Sequence, residues 1–206
     1  NTAINDSSVL NAQTEVYNAI KAFIRTNAKV TLPPSGAIAG VYARVDKSRG
    51  VWKAPANVGL VLVDKPAIAI TNDMNDGLNV DTGSGKSVNA IRAFSGKGVM
   101  VWGARTLAGN DNEWRYISVR RFFNFVEESV KKATLAFVFE PNDANTWLKV
   151  LTMIKNFLTL QWRAGALAGS KPDDAFYVLV GLNQTMSAED ILNGNMIIEI
   201  GMAAVR

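Results

Sequence analysis

Residues 135–168 read LAFVFEPNDANTWLKVLTMIKNFLTLQWRAGALA, and the rest of the chain is organised around this stretch. It begins with an apolar run at 135–139, which predicts a short β-strand, and breaks at Glu140-Pro141-Asn142-Asp143. Beyond the break, large apolar residues recur at steps of three and four, which predicts a long amphipathic helix. Its predicted buried face consists of Trp147, Leu151, Ile154, Leu158 and Trp162.

The other side of this predicted helix is polar. Lys149, Thr152, Asn156, Thr159 and Arg163 recur at three- and four-residue steps too, so they form a stripe turned away from the apolar face. We therefore expect the helix to pack on the core with one side and to expose the other to solvent or to a partner.

The composition excludes several classes of function. The chain has 206 residues, of which 48% are hydrophobic, so it can bury one substantial core. It contains no cysteine and no histidine, which excludes disulfides, thiolate metal sites and every Ser/His or Cys/His nucleophile. No paired carboxylates stand at a convincing catalytic spacing either. The sequence therefore predicts no catalytic residue, no metal and no cofactor.

The charge and hydropathy patterns argue against nucleic-acid and membrane partners. The net charge is only +4, and lysines and arginines are interspersed with acids, whereas a nucleic-acid binder usually shows a denser basic stripe. The longest apolar stretch, residues 58–70, is interrupted by Asp64-Lys65-Pro66 and falls short of a bilayer span. We therefore expect neither nucleic-acid binding nor direct membrane insertion.

Similar patterns predict the remaining elements. Apolar periodicity predicts helices over residues 12–28 and 114–132, and alternation predicts a hairpin from 88–94 and 99–105. Further strands are predicted at 58–63, 67–70, 175–182 and 196–205. The strand at 175–182 is nearly continuously apolar, which predicts that both of its faces are covered. Residues 37–45 fit a helical turn or a short strand. The predicted fold class is α/β, a mixed β-sheet flanked by amphipathic helices.

Two local motifs have ordinary interpretations. Gly83-Ser84-Gly85-Lys86-Ser87 resembles a phosphate loop, but position 80 is valine where the motif requires glycine, and neither flank fits the required strand and helix. A surface loop is the better interpretation. Arg120 and Arg121 each have an acidic residue within one or two helical turns, which predicts a solvated, partly paired surface.

Five stretches together resemble the signature of contractile tail sheath proteins, in the family's order and over roughly residues 32–206. They are GVWKAPA at 50–56, VWGARTL at 101–107, WRYISVRR at 114–121, FEPND at 139–143 and WRAGALAG at 162–169. The resemblance implies the carboxy-terminal domain of a structural, self-assembling subunit. Such subunits form a sheath that surrounds an inner tube and contracts to drive it through a target envelope. By this resemblance, residues 1–31 are an N-terminal linker and helix, and residues 32–206 are the sheath core domain, lacking the family's final strand segment.

The resemblance also implies partners and contact residues. The implied partners are other sheath subunits, an inner tube protein, and baseplate and tail terminator proteins. Assembly is expected in the bacterial cytoplasm, and the product is a phage tail or an extracellular or cell-anchored particle. Lys149, Lys155 and Arg163 are the expected tube contacts, and Met196, Ile198 and Ile200 the expected inter-subunit strand.

Alternative interpretations stay open at this point. The polar side of the long helix also fits an ordinary solvated surface. The main alternative to a sheath subunit is a small-molecule-binding α/β enzyme domain. A further alternative is a shell or scaffold protein of a different assembly.

Overall fold

The computed structural model describes residues 13–206, and the linker predicted at the amino terminus lies mostly outside them. The helices are α1 (Thr14–Asn27), α2 (Ser35–Arg49), α3 (Asn72–Asn79), α4 (Ile117–Thr134), α5 (Ala144–Arg163), α6 (Pro172–Ala175) and α7 (Ala188–Leu192). The strands are β1 (Val58–Gly59), β2 (Ala90–Phe94), β3 (Gly98–Trp102), β4 (Phe176–Leu179) and β5 (Glu199–Met202). The predicted α/β class, with a β-sheet flanked by amphipathic helices, is confirmed, and the strands are divided between two small antiparallel sheets.

The chain divides into two units, residues 1–36 and residues 37–206. In the first unit, α1 confirms the helix predicted over 12–28. None of its residues is buried within the described chain, and its apolar stripe is exposed at Val16, Ile20, Phe23 and Ile24. The second unit contains both sheets and the apolar core described below.

A three-stranded antiparallel sheet in the second unit has the order β1-β3-β2. The predicted hairpin is confirmed as β2 and β3, whose register pairs Phe94 with Gly98. The strand predicted at 58–63 is only two residues long, because the backbone takes a positive φ at Leu62 and leaves β3. Residues 67–70 form no strand, which corrects the prediction. The side chain of Arg92, and not a neighbouring strand, donates a hydrogen bond to the Ile70 carbonyl.

The main core lies where α4 and α5 meet a second, two-stranded sheet of β4 and β5. Ile154 and Leu158 of the predicted buried face are fully buried, whereas Trp147, Leu151 and Trp162 are half-buried. Of these three, Trp162 packs against the main core. The fully buried residues at the centre of this cluster are Phe122, Val126, Val150, Ile154 and Leu158. The predicted division of α5 into a buried and an exposed side is therefore confirmed.

The strand predicted at 135–139 is wrong. Leu135–Phe137 forms a 3₁₀ turn that continues α4, and Phe139 has a positive φ and a fully exposed ring. Among the residues of this run, Phe137 alone packs against the main core. The run begins as a tight turn at the end of α4, and no strand lies beside it within residues 13–206.

The strand β4 is covered on one face and not on two. Phe176 and Val178 are buried, whereas Tyr177 and Leu179 are exposed, so the side chains alternate as in a half-buried antiparallel strand. The prediction of a strand covered on both faces is therefore wrong. The final strand is confirmed at β5, which is shorter than predicted and pairs Ile200 with Val178.

Candidate assembly surfaces

The helix α5 begins at a well-formed cap. The Asp143 carboxylate accepts a hydrogen bond from the Thr146 N–H at 2.9 Å, and this bond lowers the pKa of Asp143 below its ordinary value. At the other end, Arg163 lies in the last turn, where a cation interacts favourably with the helix dipole. The helix is thus held at both ends while its outer side stays free.

The three predicted contact cations lie on the exposed side of α5. Lys149, Lys155 and Arg163 are all exposed, and none forms an ion pair within residues 13–206. Lys149 and Arg163 are separated by close to four helical turns, so they share one line about 21 Å long. Lys155 is displaced from that line by about a third of a turn. The structure therefore brings two of the three cations onto one line and places the third beside it.

The exposed side of α5 is less polar than its sequence pattern indicated. Leu148 is 62% exposed and Leu160 is 60% exposed, and both flank the polar stripe. The sequence pattern did not single out these leucines. Their positions on the helix, away from the buried face, are the signal that could have predicted their exposure. The surface therefore combines unpaired cations with two aliphatic side chains.

The residues predicted for an inter-subunit strand use their side chains within their own chain. Met196, Ile198 and Ile200 all pack, partly buried, against the main core. Of the three, only Ile200 lies inside β5. A neighbouring chain could therefore engage this segment only through its backbone.

The backbone of β5 has one free edge. Ala203 N–H donates to the Ala175 carbonyl at 2.9 Å, on the same register that pairs Ile200 with Val178. Because paired and unpaired positions alternate along an antiparallel ladder, Glu199 and Gly201 direct their backbone groups toward β4. Ile200 and Met202 direct theirs to the opposite edge, where the described residues provide no further strand.

Two features of the described residues bear on metal and phosphate binding. Within residues 13–206, no three acidic side chains come together in a way that could hold a metal ion. The glycine-rich loop at 83–87 is closed on itself, since Ser84 N–H donates to the Asp81 carboxylate at 2.7 Å and Asp81 N–H donates to the Lys86 carbonyl. This loop therefore does not present an open cradle of N–H groups to a phosphate. None of the helices in the described part of the chain is long and apolar enough to cross a membrane.

Comparisons with known proteins all point to one family. Residues 109–206 match the family model of the phage tail sheath C-terminal domain. The chain is similar to the tail sheath protein of Burkholderia phage BcepMu, with 29% identity over 161 residues, which is 75% of this chain and 33% of that protein. It is similar to the tail sheath protein of Enterobacteria phage T4, with 28% identity, over 65% of this chain and 19% of that protein.

Two solved structures agree with this chain over most of its length. A chain of the anti-feeding prophage baseplate, 6-fold symmetrised, has 49% identity and a TM-score of 0.82, covering 87% of this chain and 48% of that chain. A chain of the PVC extracellular contractile injection system, from its sheath complex in the contracted state, has 47% identity and a TM-score of 0.81. That match covers 87% of this chain and 49% of that chain.

The present chain spans about half the length of these solved chains and a third or less of the phage proteins. The family model covers α4, α5 and the sheet of β4 and β5, which are the elements of the main core. Residues 109–206 of this chain are therefore similar to the phage tail sheath C-terminal domain family.

Proposed function

We propose that this chain is part of a structural subunit of a contractile sheath, which surrounds an inner tube and contracts to drive that tube through a target envelope. One observation carries the proposal: 87% of the chain matches the contracted PVC sheath complex at 47% identity and a TM-score of 0.81. Identity at this level over a complete core supports a shared assembly role more strongly than fold alone. The rival enzyme function has no comparable support among the solved structures that match this chain.

The proposed partners follow from the same role. They are other copies of the subunit, an inner tube protein, and the baseplate and tail terminator proteins at the two ends. Assembly in the bacterial cytoplasm and later function in a phage tail or an extracellular or cell-anchored particle are part of this proposal. The test is to co-express the full-length protein with its tube protein and to examine the product by electron microscopy. Regular hollow tubes support the role, whereas a lone monomer at high concentration contradicts it.

The exposed side of α5 is the proposed tube contact. Lys149, Lys155 and Arg163 form no ion pair within the described chain, so they are available to an acidic surface. The charge of Lys149 also acts on the Asp143 carboxylate at the start of the helix. Contacts between exposed charges are screened by salt and can be released, which suits a tube that must move relative to its sheath. The exposed leucines beside them add a small apolar area without forming a continuous dry seam.

Charge reversal tests this contact. If the tube presents an acidic surface to these cations, replacing Lys149, Lys155 and Arg163 with glutamate should lower the yield of tube-loaded particles, because like charges would then face each other. The matched control replaces Lys47, Lys97 and Lys131 with glutamate. These lysines are also exposed but lie outside α5, so the control makes the same change in net charge. Unchanged yield and contraction in the first triple variant would end the proposal for α5.

The free edge of β5 is the proposed link between neighbouring subunits. Strand addition uses backbone hydrogen bonds, so it can proceed while Met196, Ile198 and Ile200 keep their side chains in the core. Hydrogen exchange provides the test. The amides of Ile200 and Met202 should exchange rapidly in the free chain and slowly in assembled particles. The amides of Glu199 and Gly201, which face β4, should be protected in both and serve as internal controls. Rapid exchange of Ile200 in particles would contradict the link.

A further inference from the structure

The strands β4 and β5 pair with each other although no tight turn joins them. Between Leu179, which ends β4, and Glu199, which begins β5, the chain forms α7 and several turns. A tight hairpin turn fixes which residues of its two strands lie opposite each other, but a long connection does not. The register that places Tyr177 opposite Gly201 must therefore be set by other contacts.

The core side of β5 distinguishes poorly between registers. The residues on this side, all partly buried against the main core, are Met196, Ile198, Ile200 and Met202. If β5 slipped by two residues, Ile198 would take the place of Ile200, and Ile200 that of Met202. Exchanges between apolar residues of similar volume cost little in a core, and the backbone hydrogen bonds of the ladder would form again. The opposite slip is less favourable, since the small Ala204 would replace Met202.

Two side chains hold the segment before β5, but neither reads its sequence. The Thr185 hydroxyl donates to the Ile197 carbonyl at 2.6 Å, and Asn142 Nδ2 donates to the Asn195 carbonyl at 3.1 Å. Both bonds end on backbone carbonyls, which every residue provides. They therefore anchor the segment without determining which residue occupies each place.

The outer side of this sheet contains a contact that depends on residue type. Tyr177 lies directly opposite Gly201, and its ring lies so close to this glycine that a Cβ atom at position 201 would collide with it. The backbone of Gly201 has no positive φ, so its conformation does not require glycine. The room that the Tyr177 ring needs is therefore the physical reason for a glycine at this place in the strand.

A hydrogen bond fixes the direction of the same ring. The Tyr177 hydroxyl donates to the Glu199 carboxylate at 2.8 Å. Glu199 stands two residues before Gly201 on the same side of β5, so it is a diagonal neighbour of Tyr177. This bond raises the pKa of Tyr177 above its ordinary value, so the hydroxyl keeps its proton and remains a donor. Tyr177 therefore contacts two residues of β5 through their side chains or the lack of one.

We propose that Tyr177 is a positioning residue that sets the register of β5 on β4. In the two-residue slip described above, Glu199 would lie opposite Tyr177, and its Cβ would occupy the space that Gly201 leaves to the ring. The slip would also move β5 by about 7 Å along β4. The consequence for assembly rests on the proposed function, because such a shift would displace the edge of β5 that is proposed to link neighbouring subunits.

Disulfide trapping reads the register directly. The reporter combines Leu179→Cys with Ile197→Cys, two positions that lie opposite each other only after the slip. In the observed register Leu179 pairs with Glu199, and Ile197 is a diagonal neighbour at about 7 to 8 Å, beyond the usual reach of a disulfide. Residues 1–206 contain no cysteine, and any cysteine elsewhere in the full-length protein is replaced by serine. In a glutathione buffer, adding Tyr177→Ala should raise the rate of disulfide formation about fivefold.

Further variants separate register from general stability. Val178→Ala, on the core side of the same strand, is the matched control, and it should not raise the rate at a temperature where both variants are equally folded. Tyr177→Phe keeps the ring and should retain most of the effect of tyrosine. Gly201→Ala should raise the rate while Tyr177 is present and add nothing after Tyr177→Ala, because the collision is then gone.

Three results would each overturn the proposal. The first is an unchanged rate in Tyr177→Ala. The second is an equal rise in Val178→Ala. The third is a set of additive effects for Tyr177→Ala and Gly201→Ala, which would show that the two positions act independently.

Assembly is measured separately, with the same variants but without the cysteine pair. The trapping experiment uses the free full-length protein, so it tests the role of Tyr177 whether or not a sheath forms. Under the proposed function, the yield of particles should fall from variant to variant as the rate of the slipped disulfide rises. If the register follows Tyr177 but the yield does not, the link through β5 is contradicted and the positioning role stands. If the register does not follow Tyr177, the positioning role is overturned even where particles form.

Discussion

Arg121 and Asp46 form a two-pronged ion pair between α4 and α2, although 75 positions separate them in the sequence. The two hydrogen bonds measure 2.8 and 2.6 Å, and the Arg121 guanidinium also lies 4.6 Å from the centroid of the Tyr42 ring. The bond to Asp46 raises the pKa of Arg121 above its ordinary value. This pair fastens the long helix of the main core to the helix that precedes the three-stranded sheet.

Removing this ion pair should destabilise the chain modestly. About a quarter of each side chain is exposed, so we expect Arg121→Gln to lower the free energy of unfolding by about 1.5 kcal/mol. Arg121→Lys should recover less than half of this, because lysine lacks the planar fork and stacks less well on Tyr42. Urea unfolding of both variants, with Asp46→Asn to complete a double-mutant cycle, measures the coupling. A coupling energy near zero would show that the pair is not stabilising.

Truncating the centre of α5 should be far more costly. Ile154 is 1% exposed within the main core, so Ile154→Ala should lower the free energy of unfolding by about 3 kcal/mol through lost burial and the remaining cavity. Asn156→Ala, on the exposed side of the same helix, is the matched control and should change it by less than about 0.5 kcal/mol. Similar losses in the two variants would contradict the assignment of the buried side.

Glycine should be better tolerated than alanine at position 139. Phe139 has a φ of 73° and a fully exposed ring, so its side chain contributes no packing and its backbone is strained. Phe139→Gly should therefore be more stable than Phe139→Ala by about 0.5 to 1 kcal/mol, after allowing for the greater freedom of glycine in the unfolded chain. Thermal unfolding of the two variants decides the matter, and a more stable alanine variant would be inconsistent with this backbone geometry.

The cap of α5 should make stability depend on pH in the acid range. The pKa of Asp143 is lowered by the hydrogen bond from Thr146 N–H, so the folded state favours the ionised carboxylate. This stabilisation is present above the unfolded pKa and is lost as the pH falls through the lower, folded pKa. Between about pH 5 and pH 2, the urea midpoint should fall less steeply in Asp143→Asn than in the parent chain, since asparagine caps without titrating. Parallel profiles would exclude this contribution.

Local patterns predicted those parts of the fold that depend on neighbouring residues. The hairpin of β2 and β3 and the two sides of α5 follow from alternation and helical spacing over short windows. Residues 135–139 misled the prediction, because a short apolar run fits a strand as well as the end of a helix. Only the absence of a neighbouring strand in the described structure separates the two.

Long-range pairing could not be predicted from the sequence. The arginines of α4 were expected to meet acids within one or two turns, yet Arg121 pairs with Asp46 and Arg120 stacks 4.6 Å from the centroid of the Trp114 ring. The exposure of Lys149, Lys155 and Arg163 was predicted correctly, because helical spacing determines which side a residue occupies. Their contact with a tube stays a prediction.

A density map of tube-loaded particles of the full-length protein tests the central claim most directly. The account predicts that α5 forms the layer of the sheath wall nearest the tube, with Lys149 and Arg163 facing acidic tube residues. A map that places α5 on the outer surface of the particle, or away from the tube and its neighbours, would contradict it.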